Sequence, residues 1–107
     1  MTGVGPILRM SDDIEGIVAA LCDDNPGKKI RVIDRHAYVR IEGEPPLRLT
    51  RKSIEAHVGR QFEMRELQLM MSAFSGKIDS STSEELRWTR RNMSEHMTES
   101  TDKVSES

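Results

Sequence analysis

The sequence has very little of the residue types on which chemistry and cross-linking depend. Cys22 is the only cysteine in 107 residues, which excludes an internal disulfide and a cysteine-based zinc site and fits a reducing compartment. Aromatic residues make up 4%, so a single small core must be filled mainly by aliphatic and methionine side chains. No stretch approaches the roughly 18 apolar residues of a membrane span, and the first residues lack a signal-peptide pattern. We therefore expect a cytoplasmic protein without a membrane segment.

Charge is nearly balanced. The sequence has 16 basic and 18 acidic residues, a net charge of -2, so no overall field would attract nucleic acid or an anionic membrane. A local basic cluster is formed by Arg48, Arg51, Lys52, Arg60 and Arg65. Such a cluster could contact phosphates, which makes a small nucleic-acid or protein adaptor the alternative function. Interspersed glutamates and the lack of neighbouring aromatics favour a solvated face or a surface that docks on an acidic protein.

The N-terminal part of the chain predicts a strand and a helix. Weak alternation over residues 4–10 indicates the strand. Asp12 and Glu15 then resemble a capping box at the start of the helix. The apolar residues that follow have helical spacing and form one stripe, made of Ile14, Ile17, Val18, Leu21 and Cys22. The turn at residues 25–27, Asn-Pro-Gly, ends this helix and is expected to be architectural.

The middle of the chain predicts three strands and a helix. Alternation over residues 30–33 and 37–42 indicates an antiparallel pair, with one face buried through Ile30, Val32, Ala37, Val39 and Ile41. Residues 47–49 form a third short strand. Thr50 then caps a helix of about two turns, and Gly59 ends it.

The C-terminal part predicts a helix, two strands and a tail. The helix spans residues 64–73, with a stripe of Met64, Leu67, Met70, Met71 and Phe74. Strands follow at residues 77–79 and 86–88. The chain is thus predicted to be one domain over residues 1–91 with a polar, disordered tail over 92–107. The order β-α-β-β-β-α-α-β-β indicates a small α+β domain with antiparallel sheet.

No residue pattern points to catalysis. The three histidines lack the i, i+4 spacing that places two imidazoles on one metal; they are His36, His57 and His96. Helix capping explains Asp12, Asp13 and Glu15 better than acid/base chemistry does. Cys22 could act as a nucleophile, but its place on the apolar stripe favours a small buried hydrophobe.

Four stretches carry a family resemblance, in order and over about residues 3–90: VGPILRMSDD, DDNPGKKIRVIDRHAYVRIEGE, LRLTRKSIEAHVGRQFEMRELQL and MSAFSGKI. The sequence thereby resembles the catalytic effector (coupling or regulatory) proteins of bacterial multicomponent di-iron monooxygenases, with the nearest likeness to the toluene and alkene monooxygenase branch. It lacks the long N-terminal arm of the methane branch, so no function of that arm is carried over.

The resemblance implies a cofactor-free, non-catalytic subunit. Such effectors bind the di-iron hydroxylase, reshape its active site and couple electron transfer and O2 activation to hydroxylation or epoxidation of aromatic hydrocarbons and alkenes. It further implies a free monomer that binds one hydroxylase active-site protomer, and a functional link to a Rieske-type ferredoxin and an NADH reductase.

The resemblance also suggests where the hydroxylase is bound. The segment that enters the glycine after the third helix is the first choice, with Met70, Ser72, Ala73, Phe74 and Gly76 as contact residues. Charge complementarity adds Arg51, Lys52 and Arg60 as a second group.

Overall fold

The computed structural model describes residues 3–91 and arranges them in two antiparallel sheets and three helices. The elements are β1 (Gly5–Arg9), α1 (Ile14–Asp24), β2 (Ile30–Asp34), β3 (Tyr38–Gly43), β4 (Leu47–Thr50), α2 (Arg51–Val58), α3 (Met64–Met70), β5 (Met71–Ser75), β6 (Lys77–Ser81) and β7 (Glu85–Thr89). One sheet has the order β2-β3-β1-β5 and the other β4-β7-β6. The predicted α+β class is confirmed, with β5 as an additional strand. The predicted tail at 92–107 lies outside the described residues.

The hydrophobic core combines side chains from both sheets and all three helices. Its largest fully buried members are Trp88, Phe62, Leu8, Ile17, Leu21 and Ile41. Burial of each such side chain contributes about 1.5–3 kcal/mol relative to exposure. The last strand, predicted from the alternation of Leu86 and Trp88, is confirmed as β7, and both side chains are buried.

The buried stripe of α1 differs from the predicted one at its C-terminal end. The buried residues are Ile14, Ile17, Ala20 and Leu21, whereas Cys22 is exposed. The stripe is rotated because α2 packs closely beside Gly16, where a Cβ atom would lie 2.7 Å from Val58 Cγ1. The prediction of a buried Cys22 is therefore wrong.

The predicted capping box of α1 is also wrong. The N-cap residue is Asp13, and no side chain caps the helix there. Ser11 Oγ instead accepts a hydrogen bond from the Asp13 backbone N–H at 3.2 Å. A capping box occurs at α3, where Glu63 and Glu66 each accept from the other's backbone N–H.

The predicted start and end of α2 are confirmed. Thr50 Oγ1 accepts from the Ser53 backbone N–H at 3.3 Å, and Gly59 ends the helix with a φ of 78°. Asp24, the last residue of α1, joins this cap because its carboxylate accepts from the Thr50 backbone N–H at 2.8 Å and from Ser53 Oγ at 2.7 Å. The N-terminus of α2 is thereby tied to the C-terminus of α1.

The hairpin of β2 and β3 forms as predicted, but fewer of its residues are buried than predicted. Val39 and Ile41 are buried, whereas Val32 and Ala37 are exposed. Val32 lies opposite Ile41, yet β2 is an edge strand of the sheet and lies at the margin of the core. Ala37 precedes β3 in the connection after His36.

The third helix is shorter than predicted, since α3 ends at Met70 and residues 71–75 form β5. The strand forms because these residues pair with β1, with Phe74 opposite Pro6 and Ala73 opposite Ile7. The apolar spacing of residues 64–74 fits a helix, but pairing with a strand distant in sequence overrides that local pattern.

Candidate functional site

The first group of predicted contact residues lies on one continuous segment, which consists of the end of α3, β5 and the following turn. Met70 packs partly against the core. Ser72, Ala73 and Phe74 are exposed, and Gly76 is half-buried. β5 is an edge strand of the four-stranded sheet, and its sequence MSAFS contains no charged residue. The structure thus brings this group together in an exposed, uncharged edge strand rather than on a helix face.

The side chains of β5 are divided between the two faces of the sheet. Ala73 lies opposite Ile7, whereas Phe74 lies opposite the buried Pro6. Because Phe74 is at the sheet edge, it remains 41% exposed although it is on the inner side. Leu69, at the end of α3, is 67% exposed, and its carbonyl oxygen accepts from Arg9 Nη2 at 2.6 Å. This bond holds the junction of α3 and β5 against β1.

Gly76 has an architectural part in this segment. It forms the turn from β5 of one sheet to β6 of the other with a φ of 90°. A Cβ atom at this position would lie 2.6 Å from both the Thr89 carbonyl oxygen and Val4 Cγ1. Glycine is therefore required by both the conformation and the close packing.

Two of the three basic residues in the second predicted contact group form ion pairs within the protein. Arg51 Nη2 lies 3.0 Å from Glu84 Oε2. Arg60 Nη2 donates to Asp13 Oδ2 at 2.8 Å, and its Nη1 lies 3.2 Å from Glu66. The bond to Asp13 is the main reason that the pKa of Arg60 is raised.

Lys52, the third member of the group, is exposed on α2. In the basic cluster that suggested nucleic-acid binding, Arg48 is paired as well, with Glu85 at 2.8 Å. The pKa of Arg48 is raised chiefly by this hydrogen bond. The cluster is therefore largely compensated by acidic side chains, which does not support the adaptor alternative.

One long-range polar contact near β5 was not predicted from the sequence. Arg40 on β3 donates from Nη2 to Ser75 Oγ on β5 at 3.2 Å and from Nε to Glu42 Oε2 at 2.7 Å. Its guanidinium group thus connects β3 with β5, with β1 between them. The alternation of Tyr38, Arg40 and Glu42 along one side of β3 was the available signal.

The described part of the chain offers little for redox or hydrolytic chemistry. Within residues 3–91, no three His, Cys, Asp or Glu side chains are grouped so that they could hold a metal ion. His57 Nε2 lies 2.6 Å from Asp23 Oδ2, a contact between α2 and α1 on the surface. None of the helices in this part of the chain is long and apolar enough to span a bilayer.

The described residues thus form a small α+β domain with an uncharged edge strand. Residues 2–89 match the MmoB/DmpM family, and the chain belongs to that family. It is 45% identical to the alkene monooxygenase system effector subunit of Xanthobacter autotrophicus over 85 residues, which are 79% of this chain and 83% of that protein. It is 30% identical to the phenol 2-monooxygenase stimulatory component DmpM of Pseudomonas sp. over 70 residues, 64% of this chain and 74% of that protein. The protein is thus an effector or regulatory component of a multicomponent monooxygenase.

Solved structures share the fold. A chain from a phenol hydroxylase–regulatory protein complex superposes with a TM-score of 0.65 at 20% identity, covering 83% of this chain and 98% of that chain. The soluble methane monooxygenase regulatory protein B gives a TM-score of 0.59 at 21% identity, covering 86% of this chain and 67% of that chain. The α+β fold predicted from the sequence is therefore shared with solved structures of regulatory proteins.

Proposed function

We propose that this protein binds the di-iron hydroxylase of its monooxygenase and stabilises one conformation of it, without a cofactor or turnover of its own. The 45% identity with an alkene monooxygenase effector subunit carries the proposal. In physical terms, an effector changes the hydroxylase only through a difference in its affinity for two hydroxylase conformations. That difference couples delivery of electrons to O2 activation and substrate oxidation.

The first contact group is the segment of α3, β5 and the turn that contains Met70, Ser72, Ala73, Phe74 and Gly76. Support comes from its exposure, its lack of charge and its position at a sheet edge. The pairing of β5 with β1 holds the segment in one conformation before binding. Docking therefore requires little ordering entropy, and more of the contact free energy is available to change the hydroxylase.

Arg51, Lys52 and Arg60 form an alternative contact group. The ion pairs of Arg51 and Arg60 with nearby carboxylates favour the β5 segment over it, since a compensated cation adds little to long-range attraction of an acidic partner. Charge reversal at the exposed Lys52 separates the two possibilities, because only the alternative group requires that cation.

The remaining components follow from the same proposal. A Rieske-type ferredoxin and an NADH reductase supply electrons to the hydroxylase in the cytoplasm, and one monomeric effector acts at each active-site protomer. The substrates belong to the small aromatic hydrocarbons, such as toluene, or to the alkenes. The effector itself needs no site for them, because substrate oxidation occurs in the hydroxylase.

The test is a titration of the reconstituted system. Hydroxylase, ferredoxin and reductase are supplied with NADH, O2 and toluene or propene, and product formation is measured against added effector. We expect the rate to rise and to saturate near one effector per di-iron site. A flat titration with an electron-transfer chain of demonstrated activity would contradict the proposal.

A further inference from the structure

The four-stranded sheet has two very different faces. Leu8, Val39 and Ile41 are buried on the inner face as part of the core. Alternate positions on the same strands point to the other side. We name this side the outer sheet face and define it by Ile7, Arg9, Arg31, Ile33, Tyr38 and Arg40.

The strand register places these side chains next to one another. Ile7 and Ile33 both lie opposite Arg40, from β1 and β2 respectively, and Arg9 lies opposite Tyr38. Neither isoleucine belongs to the core or packs against it within residues 3–91, and Tyr38 is 43% exposed. The outer sheet face therefore has an apolar centre in which Ile7 and Ile33 are half-buried and Tyr38 is exposed.

The charge of the outer sheet face is predominantly positive. Three arginines on three adjacent strands contribute to it, whereas Glu42 is the carboxylate that the register places among them. Glu42 is 6% exposed, and it lies 3.5 Å from Arg31 Nη1 and 2.7 Å from Arg40 Nε. The overall net charge of -2 gives no sign of this basic surface, because acidic residues elsewhere in the sequence outweigh its positive charge.

We propose that the outer sheet face is a further docking surface, beside the β5 segment, for an acidic, partly apolar surface of the hydroxylase, an inference that rests on the proposed function. An apolar centre with a basic surround fits a partner that presents apolar side chains bordered by carboxylates. The face is continuous with the β5 segment, since Ala73 lies opposite Ile7 and Arg40 bonds to Ser75. Docking on this face thus brings Ala73 and Ser75, on the same side of β5, into contact with the same partner.

Two other occupants fit the face less well. A second copy of this chain in a two-fold arrangement would oppose arginines with arginines, which is unfavourable. A nucleic acid would match the charge, but Ile7 and Ile33 offer its phosphates no polar contact, and Tyr38 alone is available for stacking. The positive charge and the apolar centre of the outer sheet face therefore favour an acidic protein surface as its occupant.

The test measures the dissociation constant of the purified hydroxylase for variants of the full chain. Ile33→Ser removes a half-buried apolar side chain from the outer sheet face, and Val32→Ser removes an exposed one from the opposite side of the same strand. Arg9→Glu reverses a charge on the face, with Arg65→Glu on α3 as its control. We expect Ile33→Ser and Arg9→Glu each to weaken binding about tenfold, with both controls near wild type. Thermal unfolding confirms that each variant is folded.

The outcomes separate this inference from the proposed function. Tight binding and stimulation by wild type, with Ile33→Ser and Arg9→Glu unchanged, would overturn the outer sheet face and leave the effector function intact. Absence of hydroxylase binding by wild type would overturn both. A third outcome is that wild type self-associates in sedimentation or binds duplex DNA, and that Ile33→Ser and Arg9→Glu abolish this interaction while hydroxylase binding persists. That outcome would assign the outer sheet face to the other occupant.

Discussion

Asn25 Oδ1 accepts a hydrogen bond from the backbone N–H of Arg48 at 3.0 Å, and Asn25 Nδ2 donates to the Arg48 carbonyl oxygen at 2.6 Å. Nδ2 also donates to the Leu21 carbonyl oxygen at 2.7 Å. Asn25 is 6% exposed. One buried amide therefore joins the C-terminus of α1 to β4, which confirms the architectural role predicted for the Asn-Pro-Gly turn.

Asn25→Ala should destabilise the protein strongly. It removes all three hydrogen bonds and leaves backbone groups of Leu21 and Arg48 without this partner in a buried setting. We expect a loss of about 2–4 kcal/mol in the free energy of unfolding, measured by urea denaturation. The exposed neighbour Pro26 provides the control, since Pro26→Ala should cost less than about 1 kcal/mol. A similar loss in both variants would contradict the role of the amide.

Glu66 should contribute to the acid sensitivity of the fold. Its Oε2 accepts from the Glu63 backbone N–H at 3.0 Å, and Oε1 lies 3.2 Å from Arg60 Nη1. These contacts, led by the backbone bond, hold the pKa of the Glu66 carboxyl below its ordinary value of 4.5. A lowered folded-state pKa gives stability that is present above the ordinary value and is lost as the pH falls through the lowered one.

The corresponding measurement compares Glu66→Gln with wild type. Glutamine keeps an oxygen for the Glu63 N–H but has no charge for Arg60. We expect the variant to unfold more easily near pH 7 and the difference to disappear well below about pH 4. The control is Glu44→Gln, in an exposed loop. Its difference in stability from wild type should not change between the two pH values. A difference between Glu66→Gln and wild type that is equal at both pH values would contradict the assignment.

Cys22 should react as a surface thiol. The side chain is exposed on α1, so a disulfide reagent such as Ellman's reagent should modify it in the folded protein without prior unfolding. Cys22→Ser should change the free energy of unfolding by less than about 0.5 kcal/mol and leave hydroxylase stimulation unchanged. Modification that occurs only at the rate of global unfolding would show that the thiol is buried.

Local signals made parts of the fold predictable. Thr50 and Gly59 marked the limits of α2 because a hydroxyl cap and a left-handed glycine act on their own helix ends. Alternation likewise identified β3 and β7, whose buried residues face the core directly. The family resemblance, carried by stretches throughout the domain, identified the effector function that composition and site chemistry could not supply.

Features that depend on distant partners were not predictable from local pattern. Residues 71–75 have helical spacing but form a strand because β1 is available for pairing. Cys22 has apolar neighbours but is exposed because α2 packs on the other side of α1. The outer sheet face also required the strand register, since the sequence separates Ile7 from Ile33 and Arg40.

We propose that this protein couples electron transfer to substrate oxidation by docking through the β5 segment. The most direct measurement is the ratio of product formed to NADH consumed in the reconstituted system, titrated with wild type, Phe74→Ala and Val32→Ala. The two side chains are similarly exposed, at 41% and 46%, but lie on opposite edge strands of one sheet.

We expect wild type and Val32→Ala to raise the ratio at similar concentrations. Phe74→Ala should need about tenfold more protein for half-maximal effect while retaining a similar unfolding temperature. Equal titrations for all three proteins would contradict docking through β5, and a ratio that no concentration of wild type raises would contradict the coupling function itself.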